Sequence, residues 1–163
     1  MVQGAAGGVG SYAVQLAKWK GAQVAGTASN ANLDFVRTLG ADPAIDYTAG
    51  PVERAISGVD VVFDTVGGAV MDGSWQLLRP GGILVEIAAM PAPETAARYG
   101  VWTGGVQGPA DSSGILRQIA ALLASGALRA TVGTVFPLEE AAQAQALSET
   151  GHGRGRIVLR VAD

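Results

Sequence analysis

Cysteine is absent from the 163-residue sequence, histidine occurs once, and lysine occurs only as Lys18 and Lys20. Without cysteine the chain forms no disulfide, no thiolate zinc site and no iron–sulfur cluster. This absence fits the reducing cytoplasm, where we expect the protein to reside. The two lysines and the scattered arginines form no basic stripe, so we expect no nucleic-acid partner. With no cysteine and one histidine in the sequence, we assign no metal site to this chain.

Charged residues are also scarce, at 15% of the chain. A transmembrane helix needs about 20 consecutive apolar residues, and the sequence has no such run. The uncharged start of the chain does not form a signal peptide, because no basic residue precedes its apolar part and glycines interrupt it. We therefore expect a soluble protein with no membrane partner.

Glycine is abundant, and its most informative cluster is the turn from Gly4 to Gly10. The turn follows the β-like stub Met1–Gln3 and precedes an amphipathic helix, which is the context of a dinucleotide-binding turn. In the usual Gly-x-Gly-x-x-Gly pattern, Ala5 occupies the first position, with Gly7 and Gly10 at the second and third. A bare backbone here lets a pyrophosphate approach the helix N-terminus. We predict nucleotide binding, the alternative being a purely structural tight turn.

Strand-like and helix-like segments alternate along the rest of the chain. We predict strands at 23–27, 44–46, 59–64 and 83–88, and near 99–102 in a looser stretch at 90–111. We predict helices at 9–20, 33–39, 52–56, 67–78 and 115–124. This alternation predicts an α/β fold, a Rossmann-type doubly wound parallel sheet in three layers, with a first strand truncated to residues 1–3.

The last part of the chain has a different pattern, with a strand at 131–137, an alanine-rich helix at 138–147 and a strand at 156–161. We place the nucleotide-binding domain at residues 1–128 and a separate C-terminal segment at residues 129–163. Arg154, Arg156 and Arg160 are the only close group of arginines in the chain.

The end of the second strand favours NADP(H) over NAD(H). An NAD site places an acidic residue there to hold the ribose 2′-hydroxyl, whereas this chain has no carboxylate between Thr27 and Asp34. Ser29 is a candidate donor to a 2′-phosphate and also a candidate helix N-cap. No lysine or arginine lies close in sequence to supply the matching positive charge.

Two other enzyme classes with glycine-rich loops are disfavoured. A methyltransferase loop works with an acidic residue that binds a ribose, and this acid is missing. A short-chain dehydrogenase needs tyrosine and lysine four residues apart, but the three tyrosines are followed at that spacing by Leu16, Pro51 and Thr103.

The string Val2–Gly10, followed by Ala13–Lys18, resembles the medium-chain dehydrogenase/reductase superfamily, specifically its zinc-independent quinone oxidoreductase-like branch. Further matches follow in the order of the family, at Leu39–Asp42, Ile45–Tyr47, Val61–Gly68 and Gly151–Leu159. Together they cover essentially the whole chain. The resemblance implies an NADPH-dependent oxidoreductase that passes hydride to a quinone or another electron-poor conjugated carbonyl compound.

The resemblance also implies the cofactor-binding residues. The pyrophosphate is lined by Ala6, Gly7, Gly8 and Val9, with Gly10 packing the helix closely behind them. Ser29 and Tyr47 flank the adenosine 2′-phosphate, although Tyr47 also suits a half-buried aromatic at a strand end. The nicotinamide side is approached by residues after the fourth and fifth strands: Thr65, Val66, Ile87, Ala88 and Ala89.

Two further polar residues are expected to be structural. Asp64 is expected to be satisfied by nearby backbone amides, and His152, between two glycines, to lie in a solvated turn. No catalytic residue is assigned.

Members of the superfamily carry a GroES-like catalytic domain before the Rossmann domain, and the resemblance implies that residues 129–163 complete that domain. We therefore expect this chain to lack a complete active site for its small-molecule substrate, a quinone or enone. Unpaired strand edges predict marginal stability or self-association, for instance as a homodimer. The alternatives are a non-catalytic NADPH-binding or regulatory module and, among enzymes, an enoyl reductase or a relative of zinc-type alcohol dehydrogenases.

Overall fold

A six-stranded parallel sheet forms the centre of the computed structural model, which describes residues 1–89, 91–105, 108 and 112–162. The strands are β1 (Val2–Gln3), β2 (Gly26–Ala28), β3 (Ala44–Asp46), β4 (Val59–Asp64), β5 (Leu78–Glu86) and β6 (Trp102–Gly104). The helices are α1 (Gly10–Trp19), α2 (Leu33–Thr38), α3 (Ala69–Leu77), α4 (Pro93–Tyr99) and α5 (Ser112–Ala124). Short 3-10 turns lie at Asn30–Asn32, Val52–Arg54 and Leu138–Glu140.

The strand order β3-β2-β1-β4-β5-β6 changes direction between β1 and β4. Crossovers between parallel strands are right-handed in about 98% of cases. The change of direction therefore puts α1 and α2 on one face of the sheet, and α3 and α4 on the other. The predicted doubly wound, three-layered fold is confirmed. Sheets of this kind bind ligands in the crevice at the carboxyl ends of the strands, where the order reverses.

Two apolar clusters hold the helices on the sheet. In the first, Val14 of α1 and Val36 of α2 are fully buried against Val2 of β1. In the second, Leu77 of α3 is fully buried in one cluster with Val62 of β4 and Leu84 of β5. Each such side chain contributes about 1.5–3 kcal/mol when fully buried, so the clusters fix the strand ends that border the crevice.

Several predicted elements are confirmed. The strands at 44–46 and 59–64 have the predicted bounds, and the first helix lies inside the predicted range 9–20. The strand predicted at 23–27 is wrong in its first half, because β2 begins at Gly26. Its length is limited by its neighbours, since β1 has only two residues and β3 only three.

The region around β5 departs further from the prediction. The strand begins at Leu78 rather than at the predicted residue 83, and its pairing with β4 shifts register in this added first part. Helix α4 was not predicted, because its segment follows a run rich in proline and alanine. Within the looser stretch predicted at 90–111, residues 90, 106–107 and 109–111 lie outside the described residues.

The C-terminal segment forms a second, two-stranded parallel sheet from β7 (Val132–Pro137) and β8 (Arg156–Arg160), connected by α6 (Ala141–Glu149). Polar contacts fasten its start to α1. The side chain of Gln15 accepts the amide of Arg129 at 2.9 Å and donates to the Arg129 carbonyl at 3.2 Å. The division into residues 1–128 and 129–163 stays a prediction.

Candidate functional site

The glycine turn joins the end of β1 to the first residue of α1. Gly10 has no room for a side chain, because a Cβ there would collide with the carbonyl oxygen of Gly4. The helix therefore packs directly against the turn. Three backbone amides of the turn have no acceptor among the described residues, those of Ala6, Val9 and Gly10, whereas Gly7 and Gly8 face Gly155 in an isolated parallel bridge. The free amides form the positive end of α1, whose first turn carries no acidic residue, and such an end favours an anion.

A cavity of about 1060 Å³ opens in front of this turn, at the carboxyl ends of β1, β2 and β4. Its volume lies just above the usual range for small-molecule sites, about 300–1,000 Å³, which suits an extended ligand. Six of the predicted cofactor-binding residues line it: Ala6, Gly7, Ser29, Tyr47, Thr65 and Val66. The other six do not line it: Gly8, Val9 and Gly10, which lead into α1, and Ile87, Ala88 and Ala89, which follow β5.

The end of β2 supplies uncharged polar groups to the cavity. Ser29 and Asn32 both line it, and Nδ2 of Asn32 donates to Oγ of Ser29 over 3.2 Å. Ser29 makes no capping hydrogen bond through its side chain. Tyr47 follows β3 and is 47% exposed. Sequence reasoning missed Asn32, because a polar residue in a first helical turn gives no signal of a ligand.

The charged side chains that line the cavity are, among the described residues, Glu53 and Asp72, both acidic. No lysine or arginine of the described part lines it. A phosphate at the end of β2 would therefore be recognised by neutral donors such as Ser29 and Asn32, rather than by an ion pair.

The loop after β4 is held by the last residue of that strand. Asp64 is fully buried, and its Oδ1 accepts the backbone amides of Val66 at 2.8 Å and Gly67 at 3.0 Å. The expectation that the nearby backbone satisfies this carboxylate is confirmed. Its effect is to fix Val66 at the wall of the cavity.

The loop after β5 is held in the same way by Glu86. Its Oε1 accepts the amides of Ala88 at 2.7 Å and Ala89 at 3.2 Å. Its Oε2 is buried and has no hydrogen-bond partner among the described residues. Burial raises the pKa of the Glu86 carboxyl, the amide of Ala88 partly offsets the rise, and the charge of Asp64 adds to it. Sequence reasoning missed Glu86, because a single acidic residue within a predicted strand gives no signal of a role in the following loop.

The C-terminal segment returns to the glycine turn. Gly155 donates its amide to the carbonyl of Ala6 at 2.8 Å. The side chain of Arg156 lies over Gly8, where an added Cβ would be 2.8 Å from Arg156 Cδ. A guanidinium group is thereby brought beside the free amides of the turn. The arginine cluster near the C-terminus was visible in the sequence, but its approach to residue 8 was not.

The loop between α6 and β8 also borders the cavity, through Thr150, Gly151, His152 and Gly153. His152 is exposed, and its Nδ1 lies 2.5 Å from the carbonyl oxygen of Thr150. The predicted solvated turn is thus an exposed loop at the cavity wall.

In the part of the chain that the structure describes, no three histidine, cysteine, aspartate or glutamate side chains gather where they could hold a metal ion. Within the same residues no helix has the length and apolar character needed to cross a membrane.

Comparison with known proteins gives consistent similarities. A sequence profile of the zinc-binding dehydrogenase family matches residues 39–159. The NAD(P)H oxidoreductase RTN4IP1, mitochondrial, of Danio rerio is 29% identical over 99% of this chain and 48% of its own length. The NADPH-dependent alkenal/one oxidoreductase, chloroplastic, of Arabidopsis thaliana is 34% identical over 98% of this chain and 39% of its own length. The chain therefore spans less than half the length of these relatives.

Among solved structures, the quinone oxidoreductase from Coxiella burnetii superposes with a TM-score of 0.92 at 36% identity. The superposition covers 99% of this chain and 52% of that one. The similarity therefore includes the central sheet and the C-terminal segment.

Proposed function

Since the chain belongs to the zinc-binding dehydrogenase family, in the medium-chain dehydrogenase/reductase superfamily, we propose that it is the NADP(H)-binding part of an oxidoreductase. The proposed reaction is hydride transfer to a quinone or another electron-poor conjugated carbonyl compound. The relatives named above support this reaction, since one is called an NADPH-dependent alkenal/one oxidoreductase and a similar structure is a quinone oxidoreductase.

One observation carries the proposal. Free amides at the N-terminus of α1 stand beside a cavity of about 1060 Å³, at the point where the strand order reverses. A dinucleotide has a diphosphate for the amides and two extended arms for the cavity. The close packing at Gly10 keeps the turn bare enough for that approach.

The residues present fit the cofactor. In this proposal the amides of Val9 and Gly10 and the guanidinium of Arg156 hold the diphosphate. Ser29 and Asn32 donate to the 2′-phosphate beside Tyr47. Thr65 and Val66 form the wall on the nicotinamide side, with the loop at 87–89 behind them. The bound nicotinamide supplies the hydride chemistry, and the protein binds and orients it.

Zinc, which the family name implies, does not fit this part of the protein. The sequence has no cysteine and one histidine, and the described residues offer no ligand set. We propose no step that uses zinc here. We propose instead that the substrate is bound largely by a GroES-like domain of the whole protein, and that the protein acts in the cytoplasm.

The test is a titration of the 163-residue chain with NADPH and with NADH, followed by nicotinamide fluorescence, and then an assay with a quinone. We expect saturable binding of NADPH, weaker binding of NADH and little quinone-dependent oxidation of NADPH. Equal or tighter binding of NADH would overturn the cofactor preference. Rapid turnover by this chain would contradict the view that its active site is incomplete. If the whole protein binds NADPH but reduces neither quinones nor enones, the non-catalytic module is favoured.

A further inference from the structure

We propose that a buried chain of side-chain hydrogen bonds beneath the cavity couples the glycine turn to the loop after β4, with Gln3 as its central positioning residue. This inference rests on the proposed function, because it assigns the two ends of the hydrogen-bond network to the two ends of a dinucleotide. It adds Gln3 and Thr27, which line the cavity, and Ser74, which does not.

The first half of the hydrogen-bond network runs from the glycine turn to Gln3. The amide of Gly4 donates to Oγ1 of Thr27 at 3.0 Å. The Thr27 hydroxyl in turn donates to Oε1 of Gln3 at 2.8 Å. Thr27 is the middle residue of β2 and Gln3 the last residue of β1. The start of the glycine turn is thus held by a side chain from the neighbouring strand.

The second half runs from Gln3 to the loop after β4. Nε2 of Gln3 donates to Oγ of Ser74, in α3, at 3.3 Å. The Ser74 hydroxyl lies 3.3 Å from Oδ2 of Asp64 and 3.0 Å from the carbonyl of Val70, so its one hydrogen serves two acceptors. The other oxygen of Asp64 holds Val66 at the cavity wall.

A second contact ties the same two regions together. The hydroxyl of Thr65 donates to the backbone carbonyl of Gln3 at 2.9 Å. The turn and the loop are also in close contact, because a Cβ on Gly4 would lie 2.7 Å from Thr65 Oγ1 and 2.9 Å from Val66. A shift of either segment therefore displaces the other.

Burial makes the chain of hydrogen bonds effective. Its four side chains are at most 3% exposed: Gln3, Thr27, Ser74 and Asp64. From Gly4 to Asp64 each donor points toward the Asp64 carboxylate, so the bonds polarise one another in a medium of low dielectric constant. Apolar residues of similar shape would fill the same space without the risk of unpaired buried groups. We therefore infer that the polar network positions the glycine turn and the loop after β4, rather than simply filling the core.

The consequence is that a change at the nicotinamide end weakens binding at the diphosphate end. The probe is 2′-phospho-ADP-ribose, which has the diphosphate and the adenosine phosphate but no nicotinamide. Ser74→Ala removes the link beneath the loop after β4, and Ser74 does not line the cavity. We expect this variant to bind the probe about fivefold more weakly by calorimetry, the lower end of typical coupling between sites.

Ser11→Ala is the matched control. Ser11 is also fully buried, and its hydroxyl lies 2.8 Å from that of Thr131, outside the chain of hydrogen bonds. It lies next to the glycine turn in sequence, so a merely local effect would be larger at Ser11 than at Ser74. Urea unfolding of each variant confirms that the folded protein is being titrated. Equal loss of affinity in both serine variants would overturn the coupling.

A double-mutant cycle gives a second test that does not depend on one variant. Thr27→Val and Ser74→Ala interrupt the hydrogen-bond network on opposite sides of Gln3, and Thr27→Ser keeps the hydroxyl. We expect the combined Thr27→Val and Ser74→Ala variant to lose less affinity than the product of the single losses, because either break already disconnects the two ends. Thr27→Ser should restore most of the affinity. Independent losses would overturn the coupling, whereas a wild-type chain that binds neither NADPH nor the probe would overturn the proposed function itself.

Discussion

Asp64 and Glu86 are paired residues at the ends of the neighbouring strands β4 and β5, and each carboxylate accepts two backbone amides from the loop that follows its own strand. The two loops are therefore fixed by one device. They differ in the second oxygen, because Asp64 Oδ2 receives the hydroxyl of Ser74 whereas Glu86 Oε2 is buried without a partner among the described residues.

This difference predicts a pH dependence of stability. Burial, with the charge of Asp64, raises the pKa of Glu86 in the folded protein, so the folded state holds this proton more tightly than the unfolded chain. The stabilisation is fully present below the ordinary glutamate pKa, about 4.3, and is lost as the pH rises through the raised value. Glu86→Gln removes the titration. In urea unfolding between about pH 4 and pH 7, the Gln variant should gain stability relative to the wild type.

The control for this prediction is Glu139→Gln, which changes an exposed glutamate. Its difference from the wild type should stay nearly constant over the same range. A Glu86→Gln variant whose stability follows the wild type at every pH would show that Glu86 titrates alike in the folded and unfolded chains.

Arg156 is predicted to strengthen cofactor binding through its position over Gly8. A charge-assisted hydrogen bond contributes about 1.5–3 kcal/mol, so Arg156→Ala should weaken NADPH binding about tenfold or more. The loss should shrink at high salt, because salt screens exposed charges. Arg117→Ala, an exposed arginine on α5, is the control. Equal affinities of the two variants would remove Arg156 from the site.

Gln15 is predicted to hold the C-terminal segment on α1. Gln15→Leu leaves the amide and carbonyl of Arg129 without their side-chain partner, which costs about 1–3 kcal/mol in unfolding free energy. Urea unfolding measures this loss. Gln118→Leu, at an exposed position of α5, should have an effect near zero, and a loss of similar size there would contradict a specific role of Gln15.

Self-association is predicted from the edge of the sheet at β6 and from the exposed helix α5. Trp102 on the edge strand β6 is 70% exposed, and Leu116 on α5 is 64% exposed. None of the 13 residues of α5 is buried. Unpaired strand edges and apolar patches attract further chains, so we expect a homodimer by sedimentation analysis and more monomer in Leu116→Glu. A wild-type chain that stays monomeric at high concentration would refute this expectation.

The fold could be predicted from the sequence where local signals agree. The strand at 59–64 is apolar, short and bounded by turn residues, and the glycine spacing at 4–10 marks both a turn and the start of a helix. The start of β2 could not be predicted, because it depends on how many residues its neighbours offer for pairing. Helix α4 could not be predicted because it has only seven residues and follows a run rich in proline and alanine, which is typical of a loop.

The site could be predicted only in part, for a related reason. Thr65 and Val66 follow a recognisable strand, and they line the cavity as that position suggests. Arg156 reaches Gly8 and Gln3 contacts Ser74 only through packing between segments far apart in the chain. No local pattern encodes such contacts, so they are visible only in three dimensions.

The central claim is that the free amides of the glycine turn bind the diphosphate of a pyridine dinucleotide. The most direct measurement is a crystal structure of the chain soaked with excess NADPH. We predict diphosphate oxygens about 2.9 Å from the amides of Val9 and Gly10, with the adenosine phosphate beside Ser29. A well-ordered turn that stays empty at saturating NADPH, or a dinucleotide bound elsewhere on the chain, would contradict the account.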